Sequence, residues 1–284
     1  MTEPVAVRSL LRTAETLPTL PAVVQKLTAL AATGTATTEE MAKIVNTDQV
    51  LAGKVLKLVN SALFGFSGRI ATVSGALILL GVNVVRSLAV SSAVLEIMEK
   101  HVLGLWTHSM GVAAASNVIA TRLKLPDIEE ISTAGLLHDI GKVVVKMNYP
   151  AKTEELMTLA ETQGVPLVEI ERLHLGLDHA EVGGQVATHW RFPERLVEPI
   201  TWHHDVARSI NFQQRTAVVH LADILVRASA FDGSIRTPVP GLQPAAWNSL
   251  QLTRDLMEVL IDEVDERLTE VMSFQMGIQP GNDH

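Results

Sequence analysis

The chain of 284 residues contains no cysteine. That excludes disulfides, thiolate-ligated zinc and iron–sulfur clusters. Aromatic residues are scarce at 4 %, with a single tyrosine. No long alternation of apolar and polar residues appears either, so a large sheet is disfavoured. Positive charge is not in surplus. The formal net charge is −8, and no dense Lys/Arg cluster occurs, so nucleic acids and anionic membranes have no general electrostatic pull on the chain. Long apolar runs are missing too. The longest, Ile70 to Val85, is interrupted by Thr72, Ser74 and Asn83 and stops at Arg86; it is too short for a membrane span and reads as a buried helix. The opening "MTEPVAVRSLLRTAETLPTLP" lacks a basic region followed by an apolar one, so no secretory leader is expected. These absences fit a cytoplasmic protein.

What is present is a globular balance of 47 % apolar and 19 % charged residues, enough to bury a real core. Apolar positions recur at three- and four-residue spacing almost throughout, which predicts an all-α fold. Pro21 opens a helix carrying Val23, Val24, Leu27 and Leu30 on one stripe. Thr37 and Glu40 form a capping box, Asp48 caps a helix ending near Gly65, and Gly81 stops another. The first hundred residues thus read as a packet of short helices. A longer helix follows, from about Val102 to Leu125. Asp127 with Glu130 reads as a second capping box, opening one helix through "IEEISTAGLLHDIGKVVVKMN". Pro150, Gly164, Pro166, Asp178 and Pro193 punctuate further helices, and "QQRTAVVHLADILVRASAF" forms another. Residues 232–244 read as loop. From Trp247 onward the sequence reads as one long acidic amphipathic helix with Leu252, Leu256, Leu260, Val264 and Leu268 on one stripe. That stripe either packs back on the body or serves a dimer.

The chain has ten histidines. His108, His138, His179, His203, His204 and His220 lie in telling contexts, with Asp139 and Asp223 nearby. Buried His and Asp are costly unless paired or bound. Asp223 sits among Leu221, Ala222, Ile224 and Leu225, which makes the point sharply. Imidazole and carboxylate donors suit Fe, Mn or Zn over Mg or Ca, and ligands scattered over several helices are how bundle metal sites are built. His138 and Asp139, adjacent on a helix, would point about 100° apart and still reach one metal or two neighbouring ones. Lys142 follows His138 by four residues and would share its helix face, as a solvated lysine or as a cation holding a phosphate oxygen. His220 reads as structural.

The order His108, His138-Asp139, Asp223 resembles the ligand signature of the HD superfamily of metal-dependent phosphohydrolases. More narrowly, "LPTLPAVVQKL", "DQVLAGKVLKLVNSALFG", "IATVSGALILLGVNVVRSLAV", "LWTHSM", "GLLHDIGK" and "HAEVGGQVATHW" resemble the HDOD family, the HD-related output domain. That likeness runs from about Leu17 to Arg227 and includes Asn60-Ser61 and Leu80-Gly81. It implies an N-terminal extension (1–16), an N-terminal helical subdomain (17–100), an HD-like helical core (101–231), and a loop with a C-terminal helix (232–284). A more distant likeness to HD-GYP phosphodiesterases implies that His179, His203 and His204 join the metal ligands and that Lys142 contacts phosphate. Two departures stand out. Gly104 replaces a ligand glutamate, and "VARSINFQQR" follows "HHD" where a Gly-Tyr-Pro motif belongs.

The HDOD resemblance implies a bacterial signal-transduction module acting through a protein partner or a small ligand, with a retained site for one or two divalent ions. The alternative is a metal-dependent phosphohydrolase acting on a nucleotide or cyclic dinucleotide, with Asp139 bridging metals and Lys142 stabilising phosphoryl charge. Neither reading calls for nucleic acid or a membrane. A dimer through the C-terminal helix is compatible with both.

Overall fold

Every regular element among the described residues is a helix. The structure, a computed structural model, describes residues 21–31, 33, 35–61, 70–102, 104–231 and 237–276. The N-terminal extension 1–16, the expected stop at Gly65 and part of the 232–244 loop lie outside them.

Local chemistry sets most boundaries. Helix α1 (Ala22–Ala31) starts where Pro21 offers its carbonyl to Val24 and Gln25. α2 (Thr38–Asn46) opens on the Thr37–Glu40 capping box, and α3 (Gln49–Val59) on Asp48, which accepts from the Leu51 amide. Asn60 then clips the chain. Its side chain accepts from the Ile70 amide at 3.0 Å and donates to the Ile70 carbonyl at 2.7 Å. α4 (Val73–His101) bends sharply at Gly81, whose φ of 80° and ψ of 165° only glycine adopts readily. These four helices pack on one another, and α4 carries the packet onto the core. No single helix among the described residues is long and apolar enough to cross a membrane.

The core begins with α5 (Leu105–Arg122), shorter than expected by a few residues at each end. It continues through α6 (Ile128–Leu137), α7 (Ile140–Asn148), α8 (Pro150–Gln163), α9 (Leu167–Leu175), α10 (His179–His189), α11 (Glu194–Trp202) and α12 (Gln213–Ala228). The sequence suggested one helix through "IEEISTAGLLHDIGKVVVKMN"; it is two, and His138-Asp139 is the break. The expected capping box at Asp127 does not form. Asp127 adopts a left-handed φ of 56° without a side-chain cap, and its carboxylate pairs with Arg215 instead.

The long C-terminal helix is also two pieces, α13 (Pro244–Ser249) and α14 (Arg254–Met276). Gln251, at a φ of 51°, lies between them. Leu260, Val264, Leu268 and Val271 are buried, and α14 packs against α5.

Candidate metal centre

The break between α6 and α7 is where the site begins. His138 ends one helix, and Asp139 starts the next with φ −96° and ψ 12°, the sparsely populated bridge region that many active-site residues occupy. Both side chains are therefore released from a helical 100° separation and turned into the same space. His108 enters from the first turn of α5, Asp223 from α12, and His179 from the first residue of α10. His203 and His204 follow the end of α11. All seven are buried.

They form two adjoining groups: His108, His138 and Asp223 in one, and Asp139, His179, His203 and His204 in the other. Asp139 faces both. Its Oδ2 lies 3.3 Å from His138 Nε2 and 3.6 Å from His108 Nε2, while its Oδ1 lies 3.1 Å from His179 Nε2 and 3.8 Å from His203 Nε2. Asp223 Oδ1 is 2.9 Å from His108 Nε2 and 3.7 Å from His138 Nε2. His204 and His179 oppose their Nε2 atoms at 3.0 Å.

The far edges of the rings fix the tautomers. His138 Nδ1–H donates to the Gly135 carbonyl at 2.7 Å and His203 Nδ1–H to the Ile200 carbonyl at 2.9 Å. His179 Nδ1–H donates to Glu171 at 2.5 Å. In their neutral forms each then presents an Nε2 lone pair inward, the arrangement that carboxylate- or carbonyl-supported histidine ligands use. His138 Nε2, His203 Nε2 and Asp139 Oδ1 are buried without a hydrogen-bond partner among the described residues. Leaving such atoms unsatisfied costs about 1–3 kcal/mol each. A cation between them removes that cost, and the N/O donor set suits a first-row divalent metal. The cluster therefore fits one or two such ions.

Protons and basic side chains hold the carboxylates in the metal-free chain. Burial would raise Asp139, but His138, Lys142 and His179 outweigh it and hold it well below the usual carboxylate range. Burial likewise opposes Asp223, and Arg227 and His108 overcome it. Burial would lower His138, yet the Asp139 and Asp223 charges raise it above the ordinary histidine value. His179 is pushed up to about 9: burial and Lys142 oppose the rise, and Glu171 and Asp139 drive it. His203 and His204 go the other way, held well below their usual value by burial and then by neighbouring positive charge.

Lys142 does not project freely from a face shared with His138. With the helix broken, it folds back onto Asp139, Nζ to Oδ2 at 2.5 Å. Three supporting residues join the site without being marked by the sequence motifs. Arg227 contacts Asp223 Oδ1 at 2.7 Å and approaches Asp139 at 3.6 Å. Its spacing of four from Asp223 was a usable signal. Glu171, which also accepts from the His179 amide, and Gln243, near the His203-His204 backbone, left no local pattern to find.

A cavity of about 430 Å³ opens onto the cluster. Lys142, Lys146 and Arg227 line it with the ligands His108, Asp139, His179 and His204; Val145, Met157, Leu167 and Pro238 give it an apolar side. Gly104, left-handed at φ 78°, borders it.

Comparison with known proteins bears on this site. The HDOD domain family matches residues 17–206, a stretch that holds every candidate ligand except Asp223. An uncharacterized protein of Treponema pallidum (strain Nichols) is 26 % identical over 199 residues, 66 % of this chain. The chain spans only 38 % of that curated relative's length. An HDOD domain protein of unknown function from Geobacter sulfurreducens has a solved structure that aligns over 93 % of this chain and 95 % of its own, at 23 % identity and a TM-score of 0.66. A proposed phosphohydrolase from Shewanella amazonensis SB2B aligns over 94 % and 97 %, at 23 % identity and a TM-score of 0.68. A proposed signal transduction protein from Marinobacter aquaeolei VT8 aligns over 96 % and 65 %, at 21 % identity and a TM-score of 0.72. At these identities the likeness is one of fold.

Proposed function

This chain belongs to the HDOD family, and from its buried ligand set we propose that it is a divalent-metal protein whose site hydrolyses a phosphate ester. One observation carries the reading: Asp139 offers one oxygen to each of two buried ligand groups. His108, His138 and Asp223 would hold one ion, His179, His203 and His204 the other, with Asp139 shared. Bound there, first-row divalent ions supply Lewis acidity, which activates water and polarises phosphoryl oxygens.

The chain's own residues do the rest. Lys142 pairs with Asp139 and lines the cavity; with Asp139 serving as a metal ligand, its ammonium would be available to hold a phosphoryl oxygen. Arg227 orients Asp223 through its 2.7 Å contact and adds positive charge to the same wall. Glu171 keeps the His179 Nδ1 proton in place, so that Nε2 faces the cluster. The apolar side of the cavity accommodates the organic part of an ester, a nucleotide among the candidates.

Metal-loaded protein is expected to hydrolyse an aryl phosphate, a nucleotide or a cyclic dinucleotide, and Asp139→Ala to lose at least about 10³-fold of that rate, since it removes a ligand from both groups. No turnover of any of these by protein shown to carry metal would overturn the reading.

A regulatory role remains the second reading, supported by a different observation. On the N-terminal packet Val50, Ile78 and Leu79 are exposed at 67 %, 77 % and 51 %, which suits contact with a signalling partner. There the metal would act as a sensor coupled to stability. Ile78→Asp would then abolish partner capture and leave metal content unchanged.

A further inference from the structure

His203 and His204 sit at the end of α11, where the helix gives way to a turn. Their carbonyls are held from outside. His220 on α12 donates Nδ1–H to the His203 carbonyl at 2.7 Å. Gln243 donates from Nε2 to the His204 carbonyl at 2.8 Å, and its Oε1 accepts from the Val206 amide at 2.8 Å. The two supports are joined, because the Gln243 backbone amide donates to His220 Nε2 at 3.1 Å. Arg172 also approaches the His204 carbonyl, at 3.5 Å, the limit of a hydrogen bond.

Gln243 occupies the N-cap of α13 yet makes no side-chain cap there. Glutamine is not among the favoured capping residues. Its side chain is instead committed to two residues of the ligand segment, His204 and Val206, and it ends the stretch whose Thr237, Pro238 and Pro240 line the cavity.

We propose that Gln243 is a positioning residue for one of the two ligand groups, fixing the His203-His204 backbone so that both imidazoles meet His179 and Asp139. The inference rests on the metal reading given above. Gln243 reaches one group through the His204 backbone, and its other side-chain and amide hydrogen bonds go to Val206 and His220, outside the group of His108, His138 and Asp223. Its loss therefore acts on one ion and spares the other, which a general loosening of the fold would not do.

The test is calorimetric titration of the full chain with Mn²⁺, together with thermal unfolding of the metal-free protein. Wild-type protein is expected to bind two ions. Gln243→Leu should keep one ion at its wild-type affinity and weaken the other about 10–100-fold, the usual effect of removing an outer support, while the unfolding midpoint of the metal-free protein drops by a few degrees through the lost hydrogen bonds. Gln243→Glu keeps an acceptor for Val206 but sets a carboxylate against the His204 carbonyl, and should weaken the same ion. Unchanged affinity in Gln243→Leu, equal weakening of both ions, or wild-type behaviour in Gln243→Glu would overturn the assignment while leaving the metal reading intact. Wild-type protein that binds no Mn²⁺ would overturn both.

Discussion

At the scale of single residues, the proposed metal centre would exchange protons for metal. His179 is pushed up to about 9 in the metal-free chain, so its extra stability is fully present below its unfolded value of 6.5 and is lost as pH rises through about 9. His203 and His204 are held neutral. Below about 6.5 the unfolded chain takes up protons that the folded chain refuses, and stability falls as pH drops. Asp139 and Asp223, held well below 3.8, add a loss only at more acid pH. Metal-free protein should therefore be most stable near pH 6.5, losing stability on the acid side and progressively from about 6.5 to 9 on the alkaline side. Saturating Mn²⁺ should remove the alkaline limb, because a ligated His179 has already lost its proton. Calorimetric unfolding from pH 5 to 10, with and without Mn²⁺, measures this; an alkaline limb that persists with metal would refute it. The residue types were legible in the sequence, since His138, Asp139 and Asp223 lie in apolar stretches, His179 follows a cap, and His203 and His204 stand together. Glu171 was not, because it meets His179 only through the packing of α9 on the start of α10.

At the scale of elements, glycine lets the site close. A Cβ at Gly141 would collide with the His179 carbonyl and the Gly183 amide, so α7 and α10 can approach as they do only because position 141 has no side chain. That approach brings His179 to Asp139. Gly141→Ala should cost more than about 2 kcal/mol of stability and lower metal affinity, read by thermal unfolding and Mn²⁺ titration; a wild-type unfolding midpoint would contradict it. Caps explain what the sequence made legible here. Thr37–Glu40, Asp48 and Asp178 each cap as read, because their partners lie within three residues. The Asp127 box failed because Arg215, from α12, drew the carboxylate away. The α6–α7 break was hidden because Ile131 to Val145 keeps helical periodicity across it, and tertiary placement of His138-Asp139 overrides so weak a local preference.

At the scale of the whole molecule, α14 braces α5, the helix that delivers His108. Leu260 is fully buried and Val264 and Leu268 nearly so, and Arg122 of α5 pairs with Glu263. Leu260→Ala should cost about 2–5 kcal/mol while metal stoichiometry at 25 °C stays unchanged, measured by denaturant unfolding and elemental analysis. A stability loss below about 0.5 kcal/mol would show that the stripe does not support the core. The sequence made the stripe legible, whereas the split at Gln251 is closed locally, by the Leu252 amide on the Trp247 carbonyl with Gln251 left-handed, a stop that glutamine does not signal as glycine would. The central claim, that two groups sharing Asp139 hold metal, is tested most directly by elemental mass spectrometry of full-length protein purified without oxygen or chelator. The account predicts about two first-row divalent ions per chain, both lost in Asp139→Ala with the fold retained. Near-zero metal, persisting after incubation with Fe, Mn and Zn, would contradict it.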